Sequence, residues 1–220
     1  MGHATKTNVV ERIDDVFRAA EEYMYRKKLL ESKSAHSSII ASIKITMFEK
    51  SHETAEHADR LVQLSEMVGS ALMLNDQQLD ELQLLATLHD IGKMGIDDKI
   101  LLKKGKLNDE EWIEMKKHPA VGFRIAQATS DLIPIANFIL CHHEKWDGTG
   151  YPQGLSGKAI PLLSRILSIV DAYDAMTSDR PYRAAMPMEE AIKEIRKNTG
   201  SQFDPSLSEL FIKLIELSIE

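Results

Sequence analysis

Apolar residues recur at helical spacing along most of this chain. Val9, Ile13, Phe17, Ala20, Met24 and Lys28 mark one side of an amphipathic stretch over residues 8–34. After a polar break from Ser32 to Ser38, Ile39, Ile43 and Met47 form a thinner stripe at i, i+4, i+8. A stripe that narrow suits a connector or a coiled-coil seam, and therefore a homodimer contact through the N-terminal helices. From residue 51 the pattern widens. One helix runs from Glu53 and His57 through Leu61, Leu64, Val68 and Leu72. A second spans 76–91, capped by Asn75 or Asp76, with Leu79, Leu82, Leu85, Ala86 and His89 toward one side. The acidic run Asn108-Asp109-Glu110-Glu111 opens a third helix, which closes near His118-Pro119. Residues 120–129 form a short helix, and Pro134 opens another with Ala136, Ile139, Leu140 and His143 on one stripe. Three glycines and a proline rule out a regular helix between Glu144 and Gly154 and permit close backbone approach to a ligand. Pro161 starts the helix that carries Ile166, Ile169, Val170 and Asp171, and two plainer helices follow over 187–198 and 205–219. No strand-period segment is long enough to build a sheet. The pattern predicts an all-α chain.

Composition changes this picture little. With 43% hydrophobic and 28% charged residues the chain reads as globular, and 220 residues suffice for a full core. A net charge of −7, without a lysine or arginine block, gives no footprint for duplex nucleic acid. No apolar run approaches the roughly 20 residues that span a bilayer, and Met1 to Lys6 carries no secretory core. The expected location is the cytoplasm, as a whole protein or as the cytoplasmic part of a longer one. The single cysteine, Cys141, excludes an internal disulfide and reads as a small buried residue.

The chemistry lies in His89-Asp90, with Lys93 four residues after His89. An imidazole and a carboxylate side by side at a helix end can reach one divalent ion, and Lys93 can meet an anion held there. One such pair is unspecific. Collected along the chain, however, the candidate ligands are Glu53, His57, His89, Asp90, His118, His142, His143 and Asp171. Taken singly, a histidine such as His118 reads as structural and Glu53–His57 as an exposed helical pair. Five histidines and three carboxylates on converging helix ends do not. Imidazole with carboxylate and no thiolate suits iron, manganese or zinc. Eight ligands exceed what one ion takes, which implies two or three ions.

The order His57, His89-Asp90-(x)2-Lys93, His118, His142-His143-Glu144-(x)2-Asp147-Gly148-(x)-Gly150-Tyr151-Pro152 and Asp171 resembles the HD-GYP family, metal-dependent phosphodiesterases of the HD superfamily. The resemblance covers roughly residues 51–210, including Val170 to Arg183 and Gln202-Phe203-Asp204-Pro205. It implies an HD-superfamily helical bundle over 51–220 with an N-terminal helical extension over 1–50. Met1 to Lys6 followed by Ala20-Glu21-Glu22-Tyr23-Met24-Tyr25-Arg26-Lys27-Lys28 resembles the end of a GGDEF-type domain, which implies an upstream signalling domain. Ala55, Asp97 and Lys104 depart from the family's glycine and prolines and put only loop shape in doubt.

Carried over, the resemblance makes His57, His89, Asp90, His118, His142, His143 and Asp171 metal ligands, with Asp90 between two ions. Glu53 implies a third ion, iron or manganese being the expected metals. Lys93, Gly150, Tyr151, Arg180 and Arg183 would face the substrate, a cyclic dinucleotide and foremost cyclic di-GMP. The implied reaction yields the linear dinucleotide pGpG, with further cleavage to GMP left open. A hydroxide bridging two ions about 3.5–4 Å apart attacks phosphorus in line, and Lys93 and the arginines offset charge on the phosphoryl oxygens. Lys93 pairing only with Asp90, Arg180 and Arg183 as a solvated turn, and Trp146 and Tyr151 packing the loop stay open at this point. Asp174 is a candidate to orient a ligand histidine, and Asp147 reads as a turn. Two other functions stay open: an HD-type nucleotide phosphohydrolase, and a dinucleotide-binding sensor with little turnover.

Overall fold

The computed structural model describes residues 40–50, 54–179 and 184–218. The chain divides into two compact units, Met1–Ile45 and Thr46–Glu220. The expected helix over 8–34, the GGDEF-like segment, Glu53, Arg180 and Arg183 all lie outside the described residues. Residues 40–50 are helical (α1), and Met47 near their end is buried.

The regular elements of the larger unit are all helices among its described residues. Its elements are α2 (Ala55–Ala71), α3 (Asp76–Leu88), a 3-10 turn (Ile91–Gly95), α4 (Asp98–Leu101), α5 (Asp109–Met115), α6 (His118–Gln127), α7 (Ile133–Cys141), a second 3-10 turn (Gly157–Ala159), α8 (Leu162–Thr177), α9 (Met188–Lys197) and α10 (Pro205–Leu217). One isolated bridge, Thr199 with Phe203, is the only strand-like pairing among the described residues. The sequence explains the starts. Asn75 and Asn108 each cap their helix reciprocally with the residue three positions on, Gln78 and Glu111. Asp204 caps α10 by accepting from Ser206 and Leu207 ahead of Pro205.

The core forms where α2, α3, α7 and α8 meet. Leu61, Leu82, Leu85, Leu88, Ile135, Ile139, Ile166 and Leu167 are almost fully buried there. Full burial of each such side chain contributes about 1.5–3 kcal/mol, so the apolar stripes are the main drive toward the bundle. Tyr173 of α8 meets Phe211 of α10 edge-on at 5.2 Å and attaches the C-terminal helix.

Four boundaries differ from the sequence pattern, and all four bear on the site. The helix expected over 76–91 ends at Leu88, His89 is its C-cap, and Lys93 lies on the separate 3-10 turn. The chain leaves the α-helix there because Gly92 sits against the start of α6. A Cβ on Gly92 would lie 1.8 Å from the His118 carbonyl oxygen and 2.5 Å from the Gly122 nitrogen. His118 opens α6 and does not close the preceding helix, because α5 already ends at Met115. His143 lies beyond α7, on the loop, and does not share the helix's stripe. The first of these helices begins at Ala55, with Thr54 as N-cap accepting from the His57 nitrogen at 3.1 Å. Short helix α4 has no signal of its own in the apolar pattern. Lys50 donates to the Met94 carbonyl at 2.7 Å and pairs with Asp98 at 3.4 Å, which ties the end of α1 to this region.

Candidate metal centre

Helix ends, with Asp171 from within α8, bring seven of the expected ligands to one place. His57 comes from the first turn of α2, His89 and Asp90 from the end of α3, His118 from the start of α6, His142 and His143 from the end of α7, and Asp171 from α8. They fall into two groups whose donor atoms lie within 4.8 Å of one another: Asp90, His118, His142 and His143; and His57, His89 and Asp171.

The histidines are held by their own helices. Nδ1 of His89, His118 and His142 each lies on the carbonyl three residues back, at 3.1, 2.8 and 2.6 Å. A carbonyl only accepts, so each Nδ1 carries a proton, which in the neutral ring leaves Nε2 with a lone pair facing the centre. His57 is fixed by a carboxylate instead. Its Nδ1 lies 2.6 Å from Asp174 Oδ2, and Arg60 grips the same carboxylate through Nε and Nη2. Asp174, the candidate to orient a histidine, is thus the residue that holds the His57 ring. Arg60 is the residue that the sequence pattern does not single out, although its position three residues after His57 places both on one helix face. Burial alone would raise the Asp174 carboxyl, but His57 and Arg60 hold it down at about 2.

Asp90 sits between the groups and is 6% exposed. Its Oδ1 faces His118 Nε2 at 3.1 Å and His142 Nε2 at 3.8 Å, while Oδ2 faces His89 Nε2 at 3.2 Å and Lys93 Nζ at 2.6 Å. Burial opposes its charge, yet Lys93, His89 and the two further histidines hold it well below the usual carboxylate range. Burial lowers His142 and lowers His143 further, with neighbouring imidazoles adding to the effect on both, so these rings are neutral.

These facts test whether the donor set fits a cation. His118 Nε2 and His142 Nε2 lie 3.2 Å apart, and with Nδ1–H on a carbonyl in each, the neutral rings have no proton to place between them. Asp90 Oδ1 is fully buried and lacks a hydrogen bond. Lone pairs that converge in a buried space with an anionic oxygen repel one another unless a positive ion lies among them. The donor set fits divalent cations, and imidazole with carboxylate oxygen is the chemistry of iron, manganese and zinc.

The loop after α7 closes one side. Glu144 is buried and accepts from the backbone nitrogens of Gln153 at 2.7 Å and Leu155 at 3.0 Å. Gly150 lies against the chain at its base, where a Cβ would come within 2.3 Å of the Lys145 nitrogen and 2.5 Å of Glu144 Cα. Gly150 is therefore set by close backbone packing. The cis Tyr151–Pro152 bond follows, and the Tyr151 ring lies 4.9 Å from that of His143. Trp146 packs beneath Arg165, whose guanidinium is 5.9 Å from its ring, so it secures the loop and Tyr151 is the aromatic residue at the centre. Asp147 accepts from the nitrogen and hydroxyl of Thr149, as a turn residue does. Cys141 is buried, and burial pushes its thiol up to about 11, in keeping with a packing role.

One substitution isolates the Asp174 support. An amide in place of this carboxylate would keep one acceptor for His57 but turn an N–H donor toward Arg60. Asp174→Asn is expected to weaken metal binding by the His57 group by about 10–100-fold, read by competition with a chelator of known affinity. Unchanged affinity would remove the orienting role.

The chain matches the HD domain family over residues 20–207. It is 43% identical over 164 residues to a cyclic di-GMP phosphodiesterase of Thermotoga maritima, an alignment covering 74% of this chain and 45% of that protein. It is 38% identical over 168 residues to the 3′3′-cGAMP-specific phosphodiesterase 3 of Vibrio cholerae, covering 76% and 36%. The chain therefore spans less than half the length of these relatives. Among solved structures, a cyclic GMP-AMP phosphodiesterase of Vibrio cholerae superposes with a TM-score of 0.63 at 22% identity, covering 80% of this chain and 48% of that one, a likeness of fold. Shared fold, a family match over most of the chain and the assembled His-Asp pair lead to one statement: this chain belongs to the HD domain family, as the resemblance of its loop to HD-GYP members implied.

Proposed function

We propose that residues 51–220 form a metal-dependent phosphodiesterase domain that hydrolyses cyclic di-GMP to pGpG. The observation that carries this reading is the pair of ligand groups meeting at Asp90, with the Tyr151 ring of the loop against His143. A nucleotide phosphohydrolase of the HD type needs only the histidine, His-Asp and aspartate core. It leaves His142-His143 and the loop without a task. The 43% identical relative named a cyclic di-GMP phosphodiesterase supports the same substrate.

Asp90, His118, His142 and His143 would hold one ion and His57, His89 and Asp171 a second, with Asp90 offering an oxygen toward each group. Glu53 would add a third, and the donor chemistry favours iron or manganese. A divalent ion bound there lowers the pKa of water and offsets charge on phosphoryl oxygens. The chain's own residues do the rest. Nδ1–H bonds to carbonyls keep the Nε2 lone pairs of His89, His118 and His142 directed inward. Lys93 Nζ, on Asp90 and partly exposed, is placed to meet a phosphoryl oxygen or to protonate the leaving 3′ oxygen. Water adds to phosphorus, the bond to the 3′ oxygen breaks, and that oxygen takes up a proton. An upstream signalling domain and a dimer through the N-terminal helices belong to the same proposal.

Anaerobically prepared protein loaded with manganese or iron is expected to convert cyclic di-GMP to pGpG, followed by chromatography. Chelation should abolish the conversion and added metal restore it. Elemental analysis should give two ions per chain, or three if Glu53 is a ligand. Parallel incubations with 3′3′-cGAMP and deoxynucleotides define the substrate. Cleavage of deoxynucleotides alone would overturn the proposal, and binding without cleavage would leave a sensor.

A further inference from the structure

From the His118–His143 side of the centre, side chains stack outward in a row. The Tyr151 ring follows His143 at 4.9 Å and a 32° tilt. The Lys116 ammonium lies 5.8 Å from the Tyr151 centroid and 5.9 Å from that of Trp112, one turn earlier in the chain. An ammonium within about 6 Å of a ring is drawn to its negative face. Two rings therefore steady the end of a flexible side chain.

Among the described residues the charge of Lys116 is not neutralised. It has no carboxylate partner among the described residues, since neighbouring Glu114 pairs with Lys117 and Glu111 with Lys103. Lys93 differs, with its charge offset by Asp90 at 2.6 Å. Lys116 is also the C-cap of α5 and lies two residues before His118, so the backbone that sets the ligand also sets the cation. Trp112 beside it is 46% exposed, an aromatic face open to solvent at the rim.

A cyclic dinucleotide carries two phosphodiesters on one ring. With one at the ligand groups, the other is left outside them and needs a separate cation. We propose that Lys116, held between Tyr151 and Trp112, is a substrate-positioning residue that binds the phosphodiester not being cut. This assignment rests on the cyclic-dinucleotide reading above and names a determinant of its specificity. A compound with a single phosphodiester has nothing to offer Lys116.

The test compares Lys116→Met, which keeps the apolar stem, with Lys116→Arg, which keeps the charge. Lys116→Met is expected to raise KM for cyclic di-GMP about ten-fold or more with kcat nearly unchanged, and Lys116→Arg to recover most of the loss. Hydrolysis of bis(p-nitrophenyl) phosphate, a single phosphodiester, should be unaffected. Calorimetric titration of chelator-treated protein with cyclic di-GMP should show the same weakening. Equal losses on both substrates, or an unchanged KM and affinity, would overturn the assignment while the phosphodiesterase reading stands. Wild-type protein that cleaves bis(p-nitrophenyl) phosphate yet neither binds nor cleaves cyclic di-GMP would overturn both.

Discussion

Asp90→Asn is expected to abolish metal-dependent hydrolysis, with a loss of at least about 1,000-fold, or about 4 kcal/mol of transition-state stabilisation. The substitution keeps the volume and removes the charge that two sets of donors share. One carboxylate oxygen faces His118 and His142, the other His89 and Lys93. Asparagine presents one neutral oxygen and an amide whose hydrogens point at lone pairs or at the Lys93 ammonium. Metal affinity should fall by more than the roughly 10–100-fold that partners behind a ligand are worth. Elemental analysis after dialysis, with circular dichroism to establish that the helices remain, checks the result. Metal content equal to that of the parent would mean that Asp90 serves packing alone.

Gly92→Ala should have the second large effect, on fold and site together. The added methyl would lie 1.8 Å from the His118 carbonyl oxygen and 2.5 Å from the Gly122 nitrogen, both backbone atoms. No rotamer change relieves such a clash, so α6 must move away from the 3-10 turn. That movement carries His118 from Asp90, 3.1 Å away. We expect destabilisation of at least about 3 kcal/mol, seen as a melting temperature lower by about 6–12 °C, together with lost metal. Gly95→Ala is the control. Its Cβ would meet only the Val121 side chain at 2.8 Å, which can turn aside, so the melting temperature should fall much less. Equal losses for the two would refute the close-contact explanation.

The histidines of the candidate centre are legible in the sequence because each stands at a helix end, where caps and apolar spacing set the boundary. Where the boundary was misplaced, the cause was a contact between elements. The pattern ran on through His89 to residue 91, but Gly92 against α6 breaks the helix after Leu88. Lys93 falls near Asp90 on either reading. Only the fold decides that its ammonium is spent on that carboxylate, leaving Lys116 as a cation with no carboxylate partner among the described residues. Arg60 and Asp174 are more than a hundred positions apart, beyond any spacing rule, and meet because α2 packs on α8.

The sequence by itself determined the all-α architecture, the imidazole and carboxylate groups that could serve as donors, and the loop that follows His142-His143. Helical period and ligand chemistry are properties of residues close together in the chain. The tertiary structure decided how those donors divide into two groups, which carboxylate oxygen serves which group, and which lysine at the centre has its charge offset. Those outcomes depend on distances between helices, and helix packing sets them through close contacts such as Gly92 on the start of α6.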